Sequence, residues 1–169
     1  RRTSLRNKLT HMVEQGSSES PVVRIERRIA APAERVCEAW LDPELITRWM
    51  APADLRVTGA EVDPRVGGHF RIRQESPQGD KGGFDAEIVE LEPGRRLVFD
   101  WYFVGPEGAE SRSPGSRLTL TFEDDGDGGT LLTLVHDQLE EMQRERPDIT
   151  GKIQFGWGSA LEKLPAALA

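Results

Sequence analysis

The two ends of this 169-residue chain answer each other, and that pairing restricts the fold more than any other feature. Residues 22–30 read as a strand, because Val23, Ile25 and Arg27 alternate with Arg24, Glu26 and Arg28. Ala31-Pro32 breaks the strand, and a short helix follows in which Val36, Ala39 and Trp40 share one face. Asp42-Pro43-Glu44 restarts a second helix: Asp42 can cap it, Pro43 suits its first position, and Leu45, Ile46 and Trp49 form its buried side. At the far end, Ile149, Ile153, Trp157, Ala160, Leu161, Leu164 and Leu168 recur at spacings of three or four, the apolar stripe of one long helix. Asp148 or Thr150 is expected to cap it. The arrangement implied is a sheet flanked by a helical pair and closed by a C-terminal helix, with a cavity beneath that helix.

Strand candidates fill the space between, each bounded by turn residues. Residues 56–63 end at Pro64, and Gly67-Gly68 introduces 69–75, where Phe70, Ile72 and Gln74 share a face. A Gly-rich turn precedes 84–91, and Glu92-Pro93-Gly94 turns the chain into 96–104, where Leu97, Phe99, Trp101 and Phe103 align. A Gly/Ser/Pro stretch reaches 116–123, and an acidic hairpin at 124–129 leads to 130–136, where Leu132, Leu134 and His136 align. Hairpin-length links predict an antiparallel meander of six or seven strands, an α+β fold.

Charge and composition narrow the functional classes. Residues 1–11 hold Arg1, Arg2, Arg6 and Lys8 and no acid; subtracting that +4 from the net −7 leaves −11 for residues 12–169. An acidic body argues against a nucleic-acid partner, which needs a basic face. No stretch approaches the roughly 20 apolar residues of a membrane span, and the expected location is the cytoplasm. Residues 1–21 read as a basic, flexible leader and linker, or in part as an upstream extension before a start at Met12, and 22–169 as one domain. Cys37 has no partner for a disulfide and reads as a small buried hydrophobe.

Several segments, in order, resemble one family. They are Ile29-Ala30-Ala31-Pro32-Ala33-Glu34-Arg35-Val36, Ala39-Trp40-Leu41-Asp42-Pro43-Glu44, Arg48-Trp49, Gly67-Gly68-His69-Phe70, Arg96-Leu97-Val98-Phe99-Asp100-Trp101, Leu118-Thr119-Leu120-Thr121-Phe122, Thr130-Leu131-Leu132-Thr133-Leu134-Val135-His136 and Gly156-Trp157. Together they are similar to proteins related to the C-terminal domain of the activator of Hsp90 ATPase, within the Bet v 1-like, helix-grip superfamily that includes START-like and polyketide-cyclase domains. The resemblance implies a helix-grip fold: an antiparallel sheet wrapped around a long C-terminal helix, with two short helices after the first strand. The chain departs from the family pattern at Trp49-Met50, Ala51 and Asp137-Gln138-Leu139, so no relative's ligand carries over. A fold of this kind hosts binders, enzymes and interaction modules alike.

The residue chemistry offers no metal signature, phosphate loop or nucleophile elbow, so no metal, cofactor or catalytic set is assigned. His136 shares parity with Leu132 and Leu134 and should point under the long helix, either satisfied structurally or touching a ligand carbonyl or hydroxyl. His69, of opposite parity to Phe70, should be exposed, as should Glu87 and Asp100. Trp40, Trp49, Phe70, Phe99, Trp101, Phe103, Phe155 and Trp157 are expected inside. Gly156 and Gly158 each weaken the helix by roughly 1 kcal/mol relative to Ala, and close approach to the sheet is the expected compensation.

The leading functional expectation is a protein that binds an apolar or amphipathic small molecule in a cavity bounded by Trp49, Phe70, Trp101, His136 and Trp157. A chaperone-linked interaction module, implied by the family resemblance alone, is the second. A cyclase- or dehydratase-type enzyme using His136 as acid or base is the third. A homodimer is compatible with any of them.

Overall fold

Alternation of apolar and polar residues builds most of this domain, whose computed structural model describes residues 20–169. The leader expected over residues 1–21 falls almost wholly outside the described residues. Seven strands form one antiparallel sheet: β1 (Val23–Ile29), β2 (Arg56–Val62), β3 (His69–Glu75), β4 (Lys81–Glu92), β5 (Arg96–Val104), β6 (Ser116–Asp124) and β7 (Thr130–Asp137). Their order is β1-β7-β6-β5-β4-β3-β2, so β2 to β7 form the expected meander and β1 closes one edge against β7.

Period-two patterning puts one face of every central strand in the core. Leu97, Phe99 and Trp101 on β5, Leu118 and Leu120 on β6, and Leu132 and Leu134 on β7 are fully buried. A bulge between Ile88 and Glu90 adds a residue to β4 opposite β5, which bends the sheet and changes the phase of the pattern. Gly83 permits a second close approach, because a Cβ there would collide with the Ile72 carbonyl of the neighbouring strand.

Between β1 and β2 run α1 (Ala33–Glu38) and α2 (Pro43–Trp49). Asp42 caps α2 as expected, its Oδ1 accepting from Glu44 N at 2.9 Å, with Pro43 at the first helical position. Asp42→Ala should therefore cost about 1 kcal/mol in chemical denaturation, the usual value of such a cap, and an unchanged midpoint would show that α2 is held by packing alone.

The C-terminal helix is bent into pieces. After α3 (Glu140–Glu145) come α4 (Pro147–Thr150), α5 (Ile153–Leu161) and α6 (Leu164–Leu168). Neither Asp148 nor Thr150 caps α5; its N-cap is Lys152, with no side-chain cap. Pro165, without an N–H, interrupts the helix between α5 and α6, and beside it Lys163 anchors the junction. Its ammonium donates to the carbonyls of Ala51 at 2.6 Å and Ala53 at 2.8 Å, while Ala53 N donates to Ser159 Oγ at 2.6 Å. Those bonds tie the α5–α6 junction to the loop after α2. The apolar stripe is otherwise as expected: Ile153, Trp157, Ala160, Leu161 and Leu164 are all buried. Phe155 departs from expectation. It lies off the stripe and is 70% exposed.

Candidate functional site

The residues expected to bound a cavity are brought together, but mostly against one another. Ring centroids lie 4.6 Å apart for Trp40–Trp49, which meet edge to face, and 5.7 Å for Phe70–Trp101 and 5.3 Å for Trp101–Trp157, which are tilted against each other. Trp49 is anchored further by its indole N–H, which donates to Ala39 O at 2.9 Å.

His136 occupies the middle of a hydrogen-bonded chain. Trp157 Nε1–H donates to its Nδ1 at 3.1 Å, which requires an unprotonated Nδ1. The remaining ring proton then sits on Nε2 and donates to Ser116 Oγ at 2.8 Å, and that hydroxyl donates to Trp101 O at 3.0 Å. Complete burial pushes the imidazole pKa down to about 3. The ring is neutral, with both nitrogens engaged, and it joins β6 and β7 to α5.

A cleft of about 510 Å³ opens beside this core, at the end of the sheet where β3, β4 and β5 meet α4 and α5. Its floor consists of the buried residues Met50, Gln74, Phe84, Ile153, Trp157 and Ala160. The exposed rim carries Pro106, Glu107, Arg146, Asp148 and Lys152. Phe103 and Gly156 form part of the wall between. Of the five residues read from the sequence, Trp157 alone lines this cleft. Trp49, Phe70, Trp101 and His136 lie behind it.

Gly156 lines the cleft and is not packed against the sheet. A Cβ built there would meet nothing within 4 Å, and one on Gly158 would meet only the end of Arg27 at 3.8 Å. The expected close packing of these glycines against the sheet is therefore absent. The gap beside Gly156 is open space that a side chain would fill.

Sequence reasoning also missed Asp85, on the outer face of the sheet between the inward-facing Phe84 and Ala86. Arg73 approaches it at 3.0 Å, Arg112 at 3.1 Å and Arg71 at 3.5 Å. Burial alone would raise its pKa, but the arginines outweigh it and hold the carboxyl below the usual range. Arg112 also stacks over Tyr102, 4.6 Å from the ring centroid. The cluster is a pinned surface network facing away from the cleft. Glu87 and His69 are exposed, and Asp100 is half-buried beside Arg117 at 2.8 Å. Cys37 is buried, and burial pushes its thiol pKa up, in keeping with a packing role. Among the described residues no group of three or more His, Cys, Asp or Glu side chains is placed to hold a metal, and no helix is long and apolar enough to cross a membrane.

An antiparallel sheet closed over a C-terminal helix, with a pair of helices after its first strand, defines a helix-grip protein. Residues 30–169 match the family described as Activator of Hsp90 ATPase homolog 1-like protein, and the chain belongs to that family. Solved structures agree on the architecture. A protein from Arthrobacter aurescens superposes with a TM-score of 0.74 at 24% identity, over 87% of this chain and 85% of its own. A protein from Chromobacterium violaceum gives 0.71 at 26% identity, over 87% and 96%. An AHSA1 protein from Silicibacter pomeroyi gives 0.71 at 22%, over 88% and 97%. No curated protein matches the chain.

Proposed function

We propose that this protein binds an apolar or amphipathic small molecule in the cleft beside Trp157. The observation that carries the reading is the gap at Gly156. A glycine in the middle of a nine-residue helix, with no neighbour to demand it, sits against open space lined by Phe84, Phe103 and Trp157. Helix propensity opposes glycine at such a position, so a wall that keeps room for a guest accounts for it better than packing does. The volume falls within the usual range for small-molecule sites, and the composition is of the usual kind: aromatic and aliphatic surface with a few polar groups.

Two substitutions at Gly156 test this. Gly156→Ala should stabilise the protein by roughly 0.5–1 kcal/mol, since helix propensity improves and nothing clashes. Gly156→Phe should keep the fold and fill the cleft. A bound guest at 100 times its Kd stabilises by about 2.7 kcal/mol, or roughly 5–10 °C for a chain of this size. A thermal-shift screen of fatty acids, isoprenoids and aromatic polyketide-like compounds should yield hits for the wild type that vanish in Gly156→Phe. Hits that persist unchanged in the filled variant would place binding elsewhere.

A second reading, a module that docks on a chaperone or client, draws on the family's name and on Phe155, a large apolar side chain left 70% exposed on α5. It calls for a protein partner on the outer face of α5, and it would gain if the screen found no ligand while Phe155→Ser abolished an interaction with an Hsp90-type chaperone.

A further inference from the structure

The polar content of the cleft floor comes down to one side chain. Gln74 is 6% exposed and continues the inward parity of Phe70 and Ile72 to the end of β3, where it lines the cleft. Its Nε2 donates to Met50 O at 2.8 Å. A carbonyl oxygen can only accept, so this bond settles which amide atom is nitrogen and which is oxygen. Among the described residues no donor reaches Oε1. The other polar floor and wall groups are spent: Ser111 Oγ accepts from Gly105 N at 2.9 Å and donates to Gly108 O at 3.1 Å. At the rim, Arg146 is paired with Asp148 at 3.1 Å.

We infer that Gln74 is the specificity-determining polar contact of the cleft, and that it selects ligands carrying a hydroxyl or N–H donor on the end that enters first. The inference rests on the small-molecule reading above. An apolar guest that covers Oε1 without a donor strips it of water and returns nothing, which is the costly side of hydrogen bonding. A guest with a donor replaces that water directly. One amide hydrogen is committed to Met50 O, and the second is left beside an Oε1 that accepts from no described donor. A ligand ketone or ether can meet that second hydrogen but leaves Oε1 without a donor. His136 lies behind the aromatic core with both nitrogens engaged, which leaves the selection to Gln74.

The test uses three matched probes on the full chain: 2-naphthol, its methyl ether and 2-acetylnaphthalene, with binding followed by tryptophan fluorescence. In the wild type, 2-naphthol should bind about fivefold tighter than the methyl ether, the factor that one hydrogen bond of about 1 kcal/mol supplies. The acceptor-only ketone, which leaves Oε1 without a donor, should bind more weakly than 2-naphthol. In Gln74→Met, which keeps the shape and loses the amide, the preference for 2-naphthol should disappear while the ether keeps its affinity. An undiminished preference in Gln74→Met overturns the assignment and leaves the binding reading intact. A ketone that binds the wild type tighter than the naphthol also overturns it, and needs no variant to fold. If neither the naphthol nor the ether binds the wild type, both readings fall.

Discussion

Trp157→Ala is expected to cost about 3–5 kcal/mol of folding stability, at the upper end for large-to-small core changes. The indole stands at the boundary between core and cleft and is 5% exposed. On its core side it meets Trp40 at 5.5 Å, Phe84 at 6.0 Å and Trp101 at 5.3 Å between ring centroids. Truncation forfeits those contacts and leaves His136 Nδ1, fully buried, without its donor. The glycines on either side cannot collapse into the space, because they have no side chains with which to fill it. Trp157→Phe separates the two parts of the loss. It keeps a six-membered ring in the core and removes the N–H with the rest of the pyrrole ring, so its cost should be about 1–3 kcal/mol, chiefly that of one unsatisfied buried acceptor. Urea denaturation of the three proteins measures both. An alanine variant that unfolds at the wild-type midpoint would make Trp157 a lid over water and not a member of the core.

The features legible in the sequence were those written in local periodicity. Leu97, Phe99, Trp101 and Phe103 announce their strand and its inner face without reference to any other element, and the stripe from Ile153 to Leu164 does the same for the helix. Gln74 was visible as a polar residue on an apolar parity, although nothing local said that its oxygen would lack a partner. Pro165 marked the break in the C-terminal helix, but the anchoring of Lys163 was not legible, because its three carbonyl partners lie more than 100 residues away. Asp85 was invisible for the same reason. Its parity points it outward, and only the register of β3 against β4 and the path of the loop after β5 bring Arg71, Arg73 and Arg112 to it. Phe155 is a different kind of error. Helical phase already placed it off the stripe, and its aromatic character outweighed that signal. The cleft depends on where α4 and the 105–111 loop come to rest, and no short segment records that.

Acid should weaken this fold well above the pH at which carboxylates titrate, and His136 is the reason. Its pKa is pushed from 6.5 to about 3 in the folded protein by burial. Between those values the unfolded chain takes up a proton that the folded chain refuses, so stability is fully present above about pH 6.5 and declines as pH falls towards 3. One such group removes about 1.4 kcal/mol per pH unit over the steep part of that window, or about 2 kcal/mol between about pH 7.5 and pH 5. The groups against the ring are Trp157, Ser116, Trp101 and Phe103, none of them charged, so no carboxylate is at hand to stabilise an imidazolium. His136→Gln isolates the effect. Glutamine can accept from Trp157 and donate to Ser116 but does not titrate, so the variant should be the less stable protein near neutrality and should lose less on acidification. Carboxylates such as Asp85 contribute alike to both proteins and cancel in the comparison. Denaturation midpoints across the range should therefore converge by about 2 kcal/mol as pH falls to about 5. Parallel curves would mean that the folded protein accommodates the proton, and that the Trp157–His136–Ser116 chain opens in mild acid instead of resisting it.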